Sequence, residues 1–266
     1  MSLLAKESVD KFSKDAGRKI QFGEFAENIT TEGIVLHETH PLDRFIIGET
    51  ELEVTQIGKE CHGDSCAIFR EVGNCVMPKE GIFCRVIRQG RVQAGDPVIF
   101  KPRIYKMMVI TLSDRASKGI YEDKSGPRVM ALMEEFFNKL NWKYEIIYHV
   151  IPDDEYSLKN FLGTAVEQGI DFVITTGGTG IGSRDITPEV VRMFIEKEIP
   201  GIMEMIRMKY GMEKPNALLS RSVAGVAGRT LIYALPGSVK AVNEYMAEIV
   251  KTLKHSVFML HGLDSH

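Results

Sequence analysis

The sequence predicts an α/β fold, a mostly parallel sheet with helices on both faces, preceded by a smaller β-rich barrel domain. Before about residue 103 the apolar runs are short, of β type and separated by glycine, which is typical of a barrel or sandwich. After it, β-type runs alternate with helical periodicity, which implies parallel strands joined by helices. With 266 residues and 44% hydrophobic content, the chain can bury one or two ordinary cores. We therefore assign residues 1–103 to a β-rich domain and residues 104–266 to an α/β domain.

The β-rich domain opens on a segment with helical periodicity and then shows little of it. Strand-forming residues concentrate instead in short runs bounded by glycine. These runs predict strands at residues 51–57, 82–87 and 97–100.

The α/β domain alternates predicted strands and helices in a regular order. Strands are predicted at residues 107–112, 144–150 and 172–175, with helices near residues 126–140 and 157–168 between them. A further strand and helix, at residues 230–235 and 239–258, are joined by a Leu-Pro-Gly-Ser turn. Because successive strands of this kind run parallel, their carboxyl ends meet at one edge of the sheet.

Composition and charge exclude several classes of function. The formal net charge is −3 and the pI is near 6.2, so no overall basic field favours nucleic acid. Charged residues interrupt every apolar run before membrane-spanning length, and the first residues lack the apolar core and cleavage site of a secretory signal. We expect a soluble, cytoplasmic protein that binds neither nucleic acid nor membrane. Four cysteines, all between Cys61 and Cys84, are too few and too clustered for a disulfide scaffold and are expected to be reduced.

A glycine-threonine loop follows the predicted strand at residues 172–175. Glycine tolerates unusual φ values, so backbone N–H groups in such a loop can approach a ligand closely. Thr187 and Pro188 then resemble an N-cap and a first helical residue, and a helix start after a glycine turn favours phosphate. Tight packing without a ligand is the alternative. The residues of this predicted phosphate loop are Thr176, Gly177, Gly178, Thr179 and Gly180.

Polar residues follow three of the predicted strands. Ser113 and Asp114 follow the first strand of the α/β domain, Asp153 and Asp154 follow the next, and Asp185 follows the glycine loop. Ligands of open parallel sheets collect at this edge. Two carboxylates and a glycine loop suit Mg²⁺ with a triphosphate, because the cation neutralises the charge between them. The alternative for each cluster is structural, since Ser and Asp also cap turns and helices.

At these residues the sequence resembles the molybdopterin adenylyltransferase family, whose fold is shared with the G domain of gephyrin. The matching pieces are ITLSDRASKGIYEDKSGP at 110–127, VIPDD at 150–154, DFVITTGGTGIGSRDITPE at 171–189, PGIMEMIR at 200–207 and SRSVAGVAGRTLIYALPGS at 220–238. The resemblance implies transfer of AMP from ATP to the terminal phosphate of molybdopterin, with release of pyrophosphate and Mg²⁺ as helper. It also implies a homo-oligomer, commonly a trimer. Met203, Met205, Ile206 and Met208 offer apolar surface for such contacts, although this pattern favours an ordinary core helix.

The same resemblance implies roles for particular residues. By position, Asp153 and Asp185 match the two functionally important aspartates, which we assign to catalysis and to Mg²⁺, and the TTGGTG loop matches the loop for nucleotide and pterin phosphates. A similar branch of the family keeps the fold without this activity, and LPGS resembles endings found in that branch. A non-catalytic molybdopterin-binding or carrier protein is therefore the alternative function, and a generic nucleotide-binding scaffold is a third. The other pocket residues implied by position are Ser113, Asp114, Ser222, Gly237 and Ser238.

The first half resembles a different family, the β-barrel MOSC domain named for the C-terminal domain of molybdenum cofactor sulfurase. The match is carried by FGEFAENITTEGI at 22–34, IIGETELEVTQIGKEC at 46–61 and GIFCRVIRQGRVQAGDPV at 81–98. Cys61 falls on the characteristic cysteine of that family, which implies a catalytic part in handling sulfur or the molybdenum cofactor. Related domains carry a further N-terminal portion, so we expect this barrel to lack strands and to expose an edge.

The surroundings of Cys61 support two interpretations. Lys59 and His62 lie close to it in sequence, and a nearby cation lowers the pKa of a thiol and favours a reactive thiolate. A small buried side chain is the alternative. Cys61, Cys66 and Cys75 lack the paired short spacing of zinc ligands, so structural zinc is not expected. Together the two resemblances predict a bifunctional molybdenum-cofactor protein, with local hand-over between its halves and other biosynthesis proteins as partners.

Overall fold

The computed structural model describes residues 1–58 and 75–263, which divide into two compact units, Met1–Arg103 and Ile104–His266. The first unit holds one six-stranded sheet with the strand order β2-β1-β5-β4-β3-β6, in which β1 and β2 are parallel and the other neighbours antiparallel. Its elements are β1 (Ser2–Ala5), α1 (Lys6–Asp15), β2 (Ile29–Thr31), a 3₁₀ turn (Leu36–Glu38), β3 (Arg44–Ile47), β4 (Thr50–Ile57), α2 (Met77–Glu80), β5 (Ile82–Arg88) and β6 (Val98–Lys101).

The strands predicted in the first unit are confirmed as β4, β5 and β6. Burial alternates along β3, where Phe45 and Ile47 are buried and Arg44 and Ile46 are half-buried, as a strand with one face on the core requires. No pairing joins the outer strands β2 and β6 within residues 1–58 and 75–103. The predicted β-rich class is thus confirmed. Within these described residues the six strands form an open sheet.

The second unit holds a six-stranded sheet with the order β10-β11-β12-β9-β7-β8. Strands β12, β9, β7 and β8 are parallel, and β10 and β11 continue the sheet antiparallel. The elements are β7 (Ile104–Leu112), α3 (Asp114–Ser117), α4 (Ser125–Lys139), β8 (Lys143–Ile151), α5 (Glu155–Glu167), β9 (Phe172–Thr176), α6 (Thr187–Arg192), β10 (Lys197–Glu198), α7 (Pro200–Gly211), a 3₁₀ turn (Pro215–Leu219), β11 (Val223–Ala227), β12 (Thr230–Leu235) and α8 (Val239–Leu260). The predicted α/β class is confirmed.

Helices cover both faces of this sheet. Ile110 of β7 packs in one cluster with Leu158 and Leu162 of α5. Tyr105, which points to the opposite face of the same strand, stacks on Phe137 of α4 at a ring distance of 6.3 Å. Strands β9 and β12 are buried along their whole length between these layers. Since the two strands are parallel, the polar residues that follow them lie at the same carboxyl edge of the sheet.

Two antiparallel strands at one end of the sheet, β10 and β11, are not predicted by the sequence pattern. β11 is built from small residues, which have weaker strand propensity than branched or aromatic ones. Gly225 is needed there, because a Cβ would lie 2.5 Å from Ile195 Cγ2. Gly228, with φ of +59°, then opens the two-residue turn that joins β11 to β12.

Candidate active site

The glycine loop begins between the ends of the two strands that flank β9. Strand β9 lies between β7 and β12, and the Gly177 amide donates to Leu235 O at the end of β12 at 3.0 Å. Gly177 has φ of +97°, and a Cβ there would lie 2.3 Å from Leu112 O at the end of β7. Gly237 faces Gly177 so closely that its own Cβ would lie 3.2 Å from Gly177 Cα. Tight packing therefore accounts for these two glycines.

Thr187 closes the base of the loop and differs from its predicted role. It is the first residue of α6, and Ile186 occupies the N-cap position. The fully buried Thr187 hydroxyl donates to Gly177 O at 2.9 Å, and the Thr187 amide donates to Gly178 O at 3.1 Å. Thr187 therefore joins the loop to the helix start and does not cap α6, which has no side-chain cap.

Four consecutive backbone N–H groups of the loop, those of residues 178–181, have no hydrogen-bond acceptor in the part of the chain that the structure describes. Gly178 has φ of +63°, which turns the backbone and lets neighbouring amides face one way. Because Gly178 and Gly180 are half-buried and Ile181 is exposed, the row leaves adjacent donors that water or a ligand can satisfy. Since α6 begins only at Thr187, the donors available to an anion here are the loop amides and not a helix start.

Asp185 lies within this loop and is held by its backbone. Its Oδ2 accepts a hydrogen bond from the Gly182 amide at 2.8 Å, and its amide donates to Gly182 O at 3.0 Å. A Cβ on Gly180 would lie 2.7 Å from the same Oδ2, so glycine at 180 makes room for the carboxylate. Asp185 Oδ1 has no partner among the described residues and is available to a ligand. The alternative that Asp185 caps the following helix is not what the structure shows, because Asp185 precedes the N-cap.

Asp114 and Asp153 lie together at the ends of β7 and β8. Asp153 Oδ2 accepts from the Asp114 amide at 3.0 Å, and Asp114 Oδ1 accepts from the Asp153 amide at 3.2 Å. Arg184, next to Asp185 in the glycine loop, forms an ion pair with Asp114. These contacts link the glycine loop to the ends of β7 and β8, as the sequence predicts.

The structural alternatives for the neighbouring residues are confirmed in part. Asp154 caps α5 by accepting from the Ser157 amide at 2.8 Å, so the structural alternative holds for this aspartate. Ser113 caps α3 through the Ala116 amide and also contacts Tyr121 OH at 2.9 Å.

The remaining predicted residues line the end of the loop with different degrees of access. Ser238 caps α8 by accepting from the Ala241 amide and, like Gly237, is exposed. Ser222 is buried, and its hydroxyl contacts that of Ser220 at 2.8 Å. Thr179 is buried as well, so it offers its backbone rather than a free side chain to a ligand.

Asp123 is a residue of this region that the sequence reasoning missed. Its Oδ2 accepts from Thr111 Oγ1 at 2.7 Å and Tyr148 OH at 2.5 Å, and its Oδ1 accepts from Ser125 Oγ at 2.8 Å. Burial favours the neutral carboxyl, but the hydrogen bonds from Tyr148, Thr111 and Ser125 outweigh it and lower the pKa of Asp123. The Ser125 hydroxyl in turn contacts Thr176 Oγ1 at 2.9 Å. Thr176 is fully buried in this network, so its side chain is structural.

The carboxylates fit a divalent cation only with help from a ligand. No group of three or more His, Cys, Asp or Glu side chains is arranged to hold a metal ion within residues 1–58 and 75–263. Magnesium, however, is usually bound by one or two carboxylates, with water and substrate phosphates completing its shell. Asp153 and Asp185 are half-buried, and each keeps one carboxylate oxygen without a partner among the described residues. This donor set fits Mg²⁺ carried in with a phosphate ligand.

The cysteines divide by what the structure describes. Cys61 and Cys66, with His62, lie outside the described residues. Cys84 is buried in β5, and burial raises the pKa of its thiol to about 12, so it is not a nucleophile at neutral pH.

In the described ranges no helix is long and apolar enough to span a lipid bilayer.

A glycine loop with unpaired amides at the carboxyl edge of a parallel sheet, beside two aspartates, is typical of α/β proteins that bind phosphate-bearing ligands. The family model described as "probable molybdopterin binding domain" matches residues 108–255, and the chain belongs to this family. A second model, described as "MOSC domain", matches residues 1–99. Both resemblances drawn from the sequence are confirmed.

Several proteins similar to the second unit are named molybdopterin adenylyltransferase. A molybdopterin adenylyltransferase of Helicobacter pylori (strain J99) is 38% identical over 157 residues, 58% of this chain and 86% of that protein. One of Pyrococcus furiosus is 38% identical over 164 residues, 58% of this chain and 93% of its own length. The solved structure of the molybdopterin biosynthesis Mog protein from Mycobacterium ulcerans has a TM-score of 0.53 and 33% identity, covering 59% of this chain and 99% of that one. The enzyme class expected from the sequence is the one in the names of the Helicobacter pylori and Pyrococcus furiosus relatives.

Proposed function

We propose that the second unit transfers AMP from ATP to molybdopterin and releases pyrophosphate, as a step of molybdenum cofactor biosynthesis. The observation that carries the proposal is the row of unpaired amides at residues 178–181 beside the carboxylate of Asp185. Amides without protein acceptors favour phosphate oxygens, and a carboxylate beside them favours a cation that bridges the two.

In this reaction an oxygen of the terminal phosphate of molybdopterin attacks the α-phosphorus of ATP. A new P–O bond forms as the bond from the α-phosphorus to the bridging oxygen breaks, and pyrophosphate leaves with that oxygen. Such a transfer needs in-line positioning and charge neutralisation more than covalent help from the protein. The amides of residues 178–181 donate to the phosphate oxygens. Asp153 and Asp185 would hold Mg²⁺, which neutralises phosphate charge when bound.

The other residues of the pocket are assigned to holding the two substrates. Asp114 holds Asp153 in place through two hydrogen bonds, each from the backbone amide of one aspartate to the carboxylate of the other. Asp114 also forms an ion pair with Arg184. Gly237, which faces Gly177, and Ser238 are exposed, and we assign both to contacts with the substrates. The remaining pocket residues in this proposal are Ser113 and Ser222.

The test is turnover of the full chain with ATP, Mg²⁺ and molybdopterin, read as adenylylated product and pyrophosphate. Asp185→Asn keeps an oxygen that accepts from the Gly182 amide but removes the charge, so we expect turnover to fall about 100-fold with the fold intact. Asp96→Asn is a matched control, because Asp96 accepts from the Gln93 amide at 2.9 Å in the same local arrangement, in the first unit. Undiminished turnover in Asp185→Asn would reject the assignment.

The rival functions give different results in the same assay. A non-catalytic carrier would bind molybdopterin and ATP without releasing pyrophosphate. A generic nucleotide-binding scaffold would bind ATP with no preference for the pterin. Loss of the proposed activity together with tight molybdopterin binding would therefore replace the enzyme by the carrier.

For the first unit we propose handling of sulfur or of the molybdenum cofactor, with Cys61 as the reacting group. The match of residues 1–99 to the MOSC domain supports this role. Mass spectrometry after incubation with a persulfide donor would detect the added sulfur on Cys61, and Cys61→Ser removes the thiol that would carry it. Sulfur found elsewhere, or nowhere, would reject the role.

We also propose that the chain forms a homo-oligomer, with a trimer as the expected state. Helix α7 divides its apolar residues, since Met203 and Ile206 are buried in the core while Met205 and Met208 are 44% and 63% exposed. The exposed pair supports a contact between copies. Light scattering after size exclusion measures the mass directly, and a monomer at micromolar concentration would contradict this state.

A further inference from the structure

Arg221 reaches the glycine loop from the segment before β11 and binds it at several points. Its amide donates to Thr179 O at 2.9 Å, its Nε donates to Gly180 O at 2.6 Å, and its Nη2 donates to Asp185 O at 2.6 Å. The third guanidinium nitrogen, Nη1, pairs with the carboxylate of Glu189. One residue therefore holds three carbonyl groups of a loop that lies about forty positions earlier in the chain.

These contacts determine which way the loop amides point. Across a trans peptide bond the carbonyl of one residue and the N–H of the next point in opposite directions, and the described part of the chain has no cis peptide bond. Because the carbonyls of Thr179 and Gly180 point at Arg221, the N–H groups of Gly180 and Ile181 point away from it. Those two belong to the row without acceptors. The side opposite Arg221 is thus the donor side of the loop.

The shape of the guanidinium matters here as well as its charge. Nε and Nη2 present two N–H groups in a rigid fork, and here each satisfies a different carbonyl. An ammonium group is a point charge on a flexible stem and does not reproduce that spacing. Glu189, at 49% exposure, lies on the outer side of the guanidinium, where an ion pair contributes little.

We propose that Arg221 is a positioning residue of the adenylyl-transfer site: by holding the carbonyls of Thr179, Gly180 and Asp185, it directs the loop amides and the Asp185 backbone toward the phosphates. The proposal rests on the proposed function, because the anion at the loop is taken to be the triphosphate of ATP. Arg221 itself touches neither substrate.

The experiment compares four variants of the full chain in the AMP-transfer assay. Arg221→Lys keeps the charge but loses the fork, and we expect kcat/KM to fall about 30-fold. Arg221→Ala should fall at least as far and recover in part when guanidinium chloride replaces sodium chloride at equal ionic strength. Glu189→Gln, which removes only the ion pair, and Arg192→Gln, which removes a surface pair with Glu198, should stay within about twofold of the parent.

Recovery by guanidinium separates positioning from plain stability, because guanidinium destabilises a folded protein while it restores the missing contacts. The proposal is overturned if Arg221→Lys matches the parent, if Glu189→Gln loses as much as Arg221→Lys, or if guanidinium restores nothing to Arg221→Ala.

Failure of the proposed function is recognised separately, because the parent chain would then form no adenylylated molybdopterin. Arg221 is judged in that case by calorimetric binding of tripolyphosphate. About tenfold weaker binding by Arg221→Lys than by the parent supports the positioning role. Equal binding, or no binding by the parent, overturns it.

Discussion

The Asp114 amide donates to the Asp153 carboxylate, and the Asp153 amide donates to the Asp114 carboxylate, at 3.0 and 3.2 Å. The two aspartates follow neighbouring parallel strands, β7 and β8, and each holds the backbone of the other in place. This exchange leaves one carboxylate oxygen of Asp153 without a partner among the described residues. Arg184 of the glycine loop forms an ion pair with Asp114 and so connects the loop to this pair of aspartates.

AMP transfer should depend on the negative charge of Asp153. Asp153→Asn keeps an oxygen for the Asp114 amide and removes the negative charge, so we expect AMP transfer to fall about 100-fold, because phosphate charge is no longer balanced through a cation. Steady-state release of pyrophosphate measures it. Asp154→Asn is the matched control, since Asn caps a helix about as well as Asp and Asp154 only caps α5. An equal loss in both variants would argue for a structural effect.

Gly177 should tolerate no side chain. Gly177→Ala combines a φ of +97° with a Cβ 2.3 Å from Leu112 O, so we expect the unit to lose about 2–4 kcal/mol of unfolding free energy. The single tryptophan, Trp142, is buried in the second unit and reports its unfolding in urea by fluorescence. Gly169→Ala has φ of +63° with nothing within 4 Å of the added Cβ, and should cost only about 1 kcal/mol. A Gly177→Ala chain no less stable than Gly169→Ala would contradict the packing described here.

Asp123 should stabilise the unit in a pH-dependent way. Its carboxylate accepts from Thr111, Tyr148 and Ser125, so Asp123→Asn should lower the unfolding free energy by about 2–3 kcal/mol at neutral pH. The pKa of Asp123 is lowered in the folded state, so its stabilisation is fully present above the unfolded pKa of about 3.9 and is lost as the pH falls through the folded pKa.

Urea unfolding followed by Trp142 fluorescence at descending pH checks this sign. The difference between the parent and Asp123→Asn should stay constant down to about pH 4 and shrink below it. Tyr148→Phe removes one of the donors and should cost about 1 kcal/mol. A difference that grows on acidification would show that the charged form is not the stabilising one.

Cys84 should be unreactive in the folded chain. Burial raises the pKa of its thiol to about 12, so little thiolate is present at mildly alkaline pH and a thiol reagent has no path to it. Counting reacted thiols should give four in denaturant and fewer under native conditions. Cys84→Ala should show the native count of the parent and one fewer in denaturant. A native count lowered by this substitution would place Cys84 among the reactive thiols.

Much of the second unit is readable from periodicity alone. Strands β7, β9 and β12 appear as apolar runs because they are buried along most or all of their length, whereas β8, at the sheet edge, is exposed at Lys143, Glu145 and Ile147. The polar residues after these four strands lie at one edge because the strands are parallel. The sequence pattern does not predict strand β11, because its valine, alanine and glycine residues show neither alternation nor strong strand propensity.

Local pattern alone does not separate Asp153 from Asp154, or the backbone of Thr176 from its hydroxyl. Adjacent aspartates after a strand look alike in sequence, and one caps α5 only because the Ser157 amide lies within reach. The Thr176 hydroxyl is taken up by Ser125, 51 positions away. Arg221 lies in the conspicuous segment at residues 220–238, yet nothing near it in sequence shows that it binds the glycine loop. Sequence pattern thus establishes the families, the parallel sheet and the edge at which a ligand is expected. The partner of each polar group comes from the packed chain, because hydrogen bonds depend on ångström distances between segments far apart in sequence.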